Sequence, residues 1–319
     1  MPRTVLGEIP ANQIGNTSIH EHLITADYFH SFLDKLEPHE FSQEECDFAV
    51  EELKLAKAAG LDTLVEVSAM ADPRQLKYIA QRSPVNIIAS TGFYKNFSKE
   101  QQGYTAEQFR DHIVFENEKG LRGTGVIPGV IKIATFMPKL HPWEVRALFG
   151  AGMAQKITGL PMCVHSATGT RYQQYIIEAA GANMEKVYFS HMESPTDREG
   201  RTVDMQVDYI IDTMERGSYV SFNGFVAPEY LPEEAIGELV TKVVSRGYSH
   251  MLMLSLDHHF GWKKDLQQTI ADAKNGDASR RTFASLMTDV LPWLCNIGIA
   301  DKDIKNMITS AAQKLFENN

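Results

Sequence analysis

The feature that most constrains this chain is a repeat, in which a short β-like run is followed by a longer helical pattern and the pair recurs along the whole length. Eight runs carry it: Thr17 to Leu23, Thr63 to Ser68, Asn86 to Gly92, Gly129 to Ala134, Met162 to Ser166, Val187 to Met192, Tyr219 to Phe222 and Met251 to Asp257. Helical periodicity falls between them at Gln43 to Ala59, Ala106 to Lys119, Pro142 to Thr158, Arg171 to Ala180, Asp204 to Glu215 and Pro232 to Ser245, several of these ending at a glycine suited to a helix C-terminus. Strand-helix alternation demands parallel strands joined by right-handed crossovers. Eight such units close most naturally into a (β/α)8 barrel, an open doubly wound sheet being the weaker alternative. In the last run Leu252, Leu254 and Leu256 share one face and Met251, Met253, Ser255 and Asp257 the other, so the leucines are expected against the helix ring. Beyond it, Arg280 to Asn296 and Asp301 to Phe316 read as two extra C-terminal helices packed on the outside. The stretch from His258 to Ser279 is long for a turn, a length at which loops often serve as lids.

A chain of 319 residues fits one barrel domain spanning 1–319. The net charge of -10 and the lack of any basic stripe argue against nucleic acid as a partner, because phosphate binding needs clustered Lys and Arg. Nowhere do about 18 apolar residues run together as a membrane helix requires, and the N-terminus lacks the apolar core of a signal peptide. A soluble cytoplasmic protein is the expectation. Three cysteines, Cys46, Cys163 and Cys295, form no C-x-x-C pair and read as reduced thiols.

In a barrel of this kind the chemistry belongs where the strands end, and five of the eight ends carry ligand or acid-base groups. Residues two apart on a strand point the same way with Cα atoms about 6.6 Å apart, so His20 and His22 can converge on one metal while Glu21 points outward. Two histidines alone at a strand end are more often hydrogen-bonded core residues; their company alters the balance. Lys132, flanked by Ile131 and Ile133, is expected to face the barrel interior with Val130 and Ala134. There desolvation favours the neutral amine, which can combine with carbon dioxide to form a carbamate, although a lysine snorkelling to the rim or paired with a carboxylate fits the same position. His165 and His191 each follow an apolar strand, and Asp257 ends the eighth, where a buried carboxylate needs a metal or a cation beside it.

This series, His20-Glu21-His22, Lys132 within Gly129 to Ala134, His165, Ser190-His191 and Ser255-Leu256-Asp257, resembles the successive metal-ligand motifs of the phosphotriesterase family within the amidohydrolase superfamily, in order and in approximate spacing over nearly the whole chain. The resemblance implies an amidohydrolase-like TIM barrel with two divalent ions, usually zinc, with manganese or cobalt as alternatives. One would be held by His20, His22 and Asp257 and the other by His165 and His191, with carboxylated Lys132 and a hydroxide bridging them. Tyr94 matches a place where lactonase-like members carry a tyrosine that reaches the metal-bound oxygen; a packed loop aromatic is the even alternative.

The implied activity is hydrolysis of a small ester, foremost a lactone or carboxylic ester, sugar-derived or phosphorylated substrates included, with Asp257 taking the proton as attack proceeds. A phosphotriesterase is the second reading, and a non-catalytic barrel that binds a small molecule the third. No G-x-S-x-G elbow or catalytic cysteine motif competes. At strand seven, where relatives often carry Asp and then Arg, this chain reads Ser221-Phe222-Asn223-Gly224, so neither specificity carries over. Lys95, Arg171, Trp262 and Lys263 are candidate substrate contacts near the mouth, solvated surface charge and ordinary packing being the plainer readings. A homodimer is compatible with this architecture, and the sequence displays no interface.

Overall fold

The structure, a computed structural model, describes residues 1–24, 41–69, 71–94, 97–135, 140–166, 169–194, 200–226, 231–259, 266–276 and 281–317. Eight parallel strands follow one another around a barrel: β1 (Thr17–Glu21), β2 (Thr63–Glu66), β3 (Asn86–Phe93), β4 (Val130–Ala134), β5 (Met162–His165), β6 (Val187–Ser190), β7 (Tyr219–Phe222) and β8 (Leu252–Leu254). Each pairs with its successor, and the register brings Gly92 beside Lys132, Lys132 beside Cys163, Ala134 beside His165 and His165 beside Ser190. The first and last strands meet at the mouth, where the amide of Asp257 donates to the His20 carbonyl at 3.2 Å and that of His22 to the His258 carbonyl at 3.0 Å. The expected barrel is therefore the observed one.

Helices α1 (Gln43–Ala58), α2 (Pro73–Ala80), α3 (Ala106–Lys119), α4 (Pro142–Thr158), α5 (Thr170–Ala179), α6 (Val203–Glu215), α7 (Glu233–Ser245) and α8 (Leu266–Lys274) surround the strands. Local chemistry fixes several of their ends. Ser42 with Glu45 and Thr105 with Gln108 form capping boxes that satisfy the first amides of α1 and α3, and α4 stops at Gly159, whose φ of 68° suits a residue without a Cβ. Alternation along the strands sorts the side chains into two apolar layers. Ile131, Ile133, Leu252, Leu254 and Leu256 pack outward against the helices, while Ile19, Val65, Val130, Cys163, Tyr188 and Met253 fill the interior.

Two expectations need correction. The stretch after His258 is no plain loop, since α8 lies within it, with Leu266 and Ile270 buried against residues of α1 and α2. The C-terminal pair of helices also divides its work. Leu286, Val290, Leu291 and Leu294 join the outer layer as expected, but Ala311, Ala312, Leu315 and Phe316 cluster with Ile14, Ile19 and the interior residues, so the last helix closes the barrel floor. Its final carbonyls, those of Lys314, Leu315 and Glu317, accept from the ammonium of Lys186 at the start of β6, a cation placed where a helix leaves its carbonyls unsatisfied. Sequence periodicity sees an amphipathic helix in both cases and says nothing about which surface it covers.

Candidate metal centre

The strand ends opposite that floor bring the polar residues together. Nε2 of His20 and Nε2 of His22 lie 3.4 and 3.1 Å from Oδ1 of Asp257, and Nε2 of His191 lies 3.9 Å from its Oδ2. The rings of His20 and His191 are 4.8 Å apart between centroids, and those of His165 and His191 4.5 Å. Two sets of donor atoms, His20 with His22 and Asp257, and His20 with His165 and His191, each fall within 4.8 Å of one another. Imidazole nitrogens and a carboxylate converging at such distances suit a divalent transition ion.

Lys132 stands beside His20 of this group and is fully buried. Its amine lies 3.2 Å from Nε2 of His20 and 3.6 Å from Sγ of Cys163, with the Tyr94 ring centroid 5.9 Å away. Burial pulls its pKa below the ordinary lysine value, outweighing the opposite pull of Cys163 and Asp257. His20 is held well below the usual imidazole range, by burial first and then by the charge of Lys132, and so is neutral and able to donate a lone pair. For Asp257, burial acts upward but His191, His22 and His20 together outweigh it, keeping the carboxyl well below the usual range and ionised.

The backbone is unusual at two of these positions. His191 has φ 68° and Asp257 φ 60°, left-handed conformations rare outside glycine and often found at functional sites. Gly92 has φ 125°, and a Cβ there would stand 1.9 Å from the Lys132 carbonyl oxygen; only glycine allows β3 to pass so close to the strand that carries Lys132.

Second contacts orient the rings. Nδ1 of His22 faces Oγ of Ser68 at 2.9 Å, and Nδ1 of His20 faces Sγ of Cys163 at 3.5 Å. Tyr94 is buried with its ring 6.1 Å from His165 and 6.3 Å from His22. Arg171 is not drawn to this group: its guanidinium pairs with Asp212, reaches Gln174 at 3.0 Å and lies 5.2 Å from the Tyr209 ring, all on the helical layer. Lys95, Trp262 and Lys263 lie outside the described residues.

Three buried glutamates went unread in the sequence. Glu21 points away from the two histidines as expected, but it is fully buried and accepts from the amides of Leu256 at 2.9 Å and His258 at 2.6 Å. Glu66 accepts from the amides of Leu23 and Ser68, and Glu193 from those of Asn223 at 2.8 Å and Gly224 at 2.7 Å. Each ties its own strand end to a neighbouring one. Burial pushes both Glu21 and Glu193 up to about 7 against the pull of these hydrogen bonds. Cys163 was also missed as a neighbour of the site, although its place two residues before His165 on the same strand face signals it.

A parallel barrel with a cluster of histidine, lysine and aspartate at the C-terminal ends of its strands carries residues that could hold a metal where barrel enzymes keep their active sites. The model of the Phosphotriesterase family matches residues 2–316, and the chain belongs to that family, whose members are binuclear metal-dependent hydrolases. The chain is 25% identical over 318 residues to an aryldialkylphosphatase of Saccharolobus solfataricus, covering 97% of this chain and 96% of that protein. It is 26% identical over 341 residues to a phospho-furanose lactonase of Mycoplasmopsis synoviae, covering 98% of this chain and 91% of the relative. A crystal structure of the phosphotriesterase homology protein from Escherichia coli superposes with a TM-score of 0.80 at 22% identity, over 96% of this chain and 99% of that one, and shares the fold.

Proposed function

We propose that the protein is a binuclear-metal-dependent hydrolase acting on a lactone or carboxylic ester. The observation that carries the proposal is the convergence of five donor side chains, His20, His22, His165, His191 and Asp257, with the buried amine of Lys132 beside His20. The donor set fits two ions. His20, His22 and Asp257 would hold one, and His165 and His191 the other. Lys132 would join them as a carbamate: the neutral amine forms an N–C bond with carbon dioxide and releases one proton, which turns a buried neutral amine into a two-oxygen anion.

When bound, such a pair of ions lowers the pKa of a water and polarises the scissile carbonyl or phosphoryl oxygen. Asp257, ionised at neutral pH, accepts the proton released during attack and hands it to the leaving oxygen, so no side-chain nucleophile is needed. Tyr94, whose ring lies 6.3 Å from that of His22 and 6.1 Å from that of His165, would hold the substrate oxygen. Ser221 and Asn223 at the end of β7 put no charged side chain there, which suits a neutral ester. The similarity to an aryldialkylphosphatase over nearly the full chain supports a second reading, phosphotriester hydrolysis.

The test is metal content per chain by elemental analysis, with a hydrolysis screen of lactones, aryl esters, phosphotriesters and N-acyl amides on the same sample. About two ions per chain and chelator-sensitive lactone or ester turnover are expected. Preference for a phosphotriester would select the second reading, preference for an amide would overturn the ester assignment, and turnover that survives complete chelation would overturn the metal mechanism.

A further inference from the structure

We propose that Glu21 is a positioning residue for Asp257, holding its backbone in the left-handed conformation that aims the carboxylate at His20 and His22. The inference rests on the metal-centre reading above and adds a residue that neither touches the reacting atoms nor ligates an ion. Asp257 has φ 60°, where an L side chain is strained and which it keeps only if its surroundings hold it. Those surroundings come from β1. Oε1 of Glu21 accepts from the amide of Leu256 at 2.9 Å, and Oε2 from the amide of His258 at 2.6 Å, so one carboxylate grips the chain on both sides of Asp257. Two more backbone groups are held by the histidines beside Glu21: the Asp257 amide by the His20 carbonyl at 3.2 Å and the His258 carbonyl by the His22 amide at 3.0 Å.

Glu21 is in turn fixed by the hydroxyls of Ser18 and of Ser255, the latter at 2.8 Å, and its side chain is wholly buried. A carboxylate is the one side chain that can accept all four donors, because both of its oxygens are acceptors. A glutamine would present an NH2 group to an amide hydrogen at one of the two grips. The tripeptide His20-Glu21-His22 thereby does two jobs with opposite faces: the histidines offer nitrogens to the centre, and the glutamate shapes the strand that supplies Asp257. Glu66 and Glu193 grip neighbouring strand ends in the same way, but neither bonds the chain at Asp257.

The experiment compares wild type, Glu21→Gln, Asp257→Asn, the double variant and Glu66→Gln after loading with cobalt(II). It reads the metal dissociation constant by chelator competition, the visible absorption of bound cobalt, and the melting temperature of the metal-free protein. Glu21→Gln is expected to weaken metal binding about 10–100-fold and to move the cobalt spectrum toward that of Asp257→Asn. The double variant is expected to bind no more weakly than Asp257→Asn alone, since Glu21 acts through Asp257. Glu66→Gln is expected to lower the melting temperature without producing the Asp257→Asn spectrum.

A destabilised Glu21→Gln with wild-type affinity and spectrum, or losses that simply add in the double variant, would overturn the role and leave Glu21 a seam residue only. If Glu21→Gln does not fold, Ser18→Ala removes one hydrogen bond to the same carboxylate and should shift the spectrum in the same direction by less; an unshifted spectrum would overturn the proposal. Absence of bound cobalt in wild type would overturn the metal-centre reading itself, whereas normal wild-type binding with an unchanged Glu21→Gln overturns only the role of Glu21.

Discussion

Replacing Lys132 with methionine should stabilise the metal-free protein while abolishing its function. The substitution keeps the length and most of the volume of the side chain, so packing in the interior is conserved. What changes is a buried amine whose partners among the described residues are a neutral ring nitrogen at 3.2 Å and a thiol at 3.6 Å, with no carboxylate in hydrogen-bond contact. Exchanging poorly compensated buried ionic groups for apolar ones of similar size is typically neutral or gains about 1–4 kcal/mol. Losing the contact with His20 costs about 1 kcal/mol. Taking the stabilising range, about 1–4 less about 1, the net expectation is a gain of about 0–3 kcal/mol, a rise in melting temperature of roughly 2 °C per kcal/mol for a chain of this size. The sign with pH follows from the lowered pKa of Lys132. The unfolded chain binds the proton up to about pH 10.4, the folded one only up to its lower value. The penalty is therefore full below the folded pKa, shrinks as pH rises from there, and is gone above about 10.4. The advantage of Lys132→Met should narrow as pH rises above the lowered pKa and close toward pH 10. Scanning calorimetry of both chelated proteins at several pH values measures this. A variant less stable than wild type at neutral pH, or an advantage that does not change with pH, would refute the reasoning. With metal restored the variant should show no turnover, and short carboxylic acids should restore part of it in Lys132→Ala, where a cavity admits them.

Further outcomes follow from single contacts. Asp257→Asn should still fill with metal at excess ion but lose at least about 100-fold in turnover, measured by steady-state kinetics, since its proton acceptor is gone. Gly92→Ala must relieve a 1.9 Å contact with the Lys132 carbonyl and a φ of 125°, and should lose about 3 kcal/mol or more in urea denaturation; a wild-type midpoint would show that the strands can separate there. Lys186→Met uncaps the last helix, costing about 1–3 kcal/mol, with metal content unchanged because the floor and the mouth are opposite ends of the barrel. Chelation should lower the melting temperature of wild type by the free energy of lost binding, about 2.7 kcal/mol for metal held at 100 times its dissociation constant, and a melting temperature indifferent to chelator would oppose a bound metal.

The strands were legible because alternation is local: Ile131 and Ile133 around Lys132, or Leu252 to Leu256 around Met253 and Ser255, declare which side faces the helices before any partner strand is known. The histidines and Asp257 were legible for a related reason. A strong ligand at the end of an apolar run has few structural uses, and in a parallel barrel every such end opens on the same face. The last helix was misplaced because amphipathic periodicity records that Ala311, Ala312, Leu315 and Phe316 are covered, not by what, and the interior of a barrel is as apolar as its outside.

Glu21, Glu66 and Glu193 illustrate a deeper limit. A glutamate beside two histidines reads locally as the polar, outward partner in an alternating strand, and it does point away from the histidines. In a closed barrel, however, the direction away from the centre at a strand end leads to the neighbouring strand's amides, which the curvature of the mouth leaves without ladder partners. The acceptors those amides need come from a residue more than 200 positions distant in the case of His258, and nothing in the local spacing announces the match. The same long-range bonds make the left-handed backbone at Asp257 tenable. The candidate donors are thus written in short motifs, whereas the geometry that makes them converge is written in pairings between strand ends, visible only once the barrel has closed.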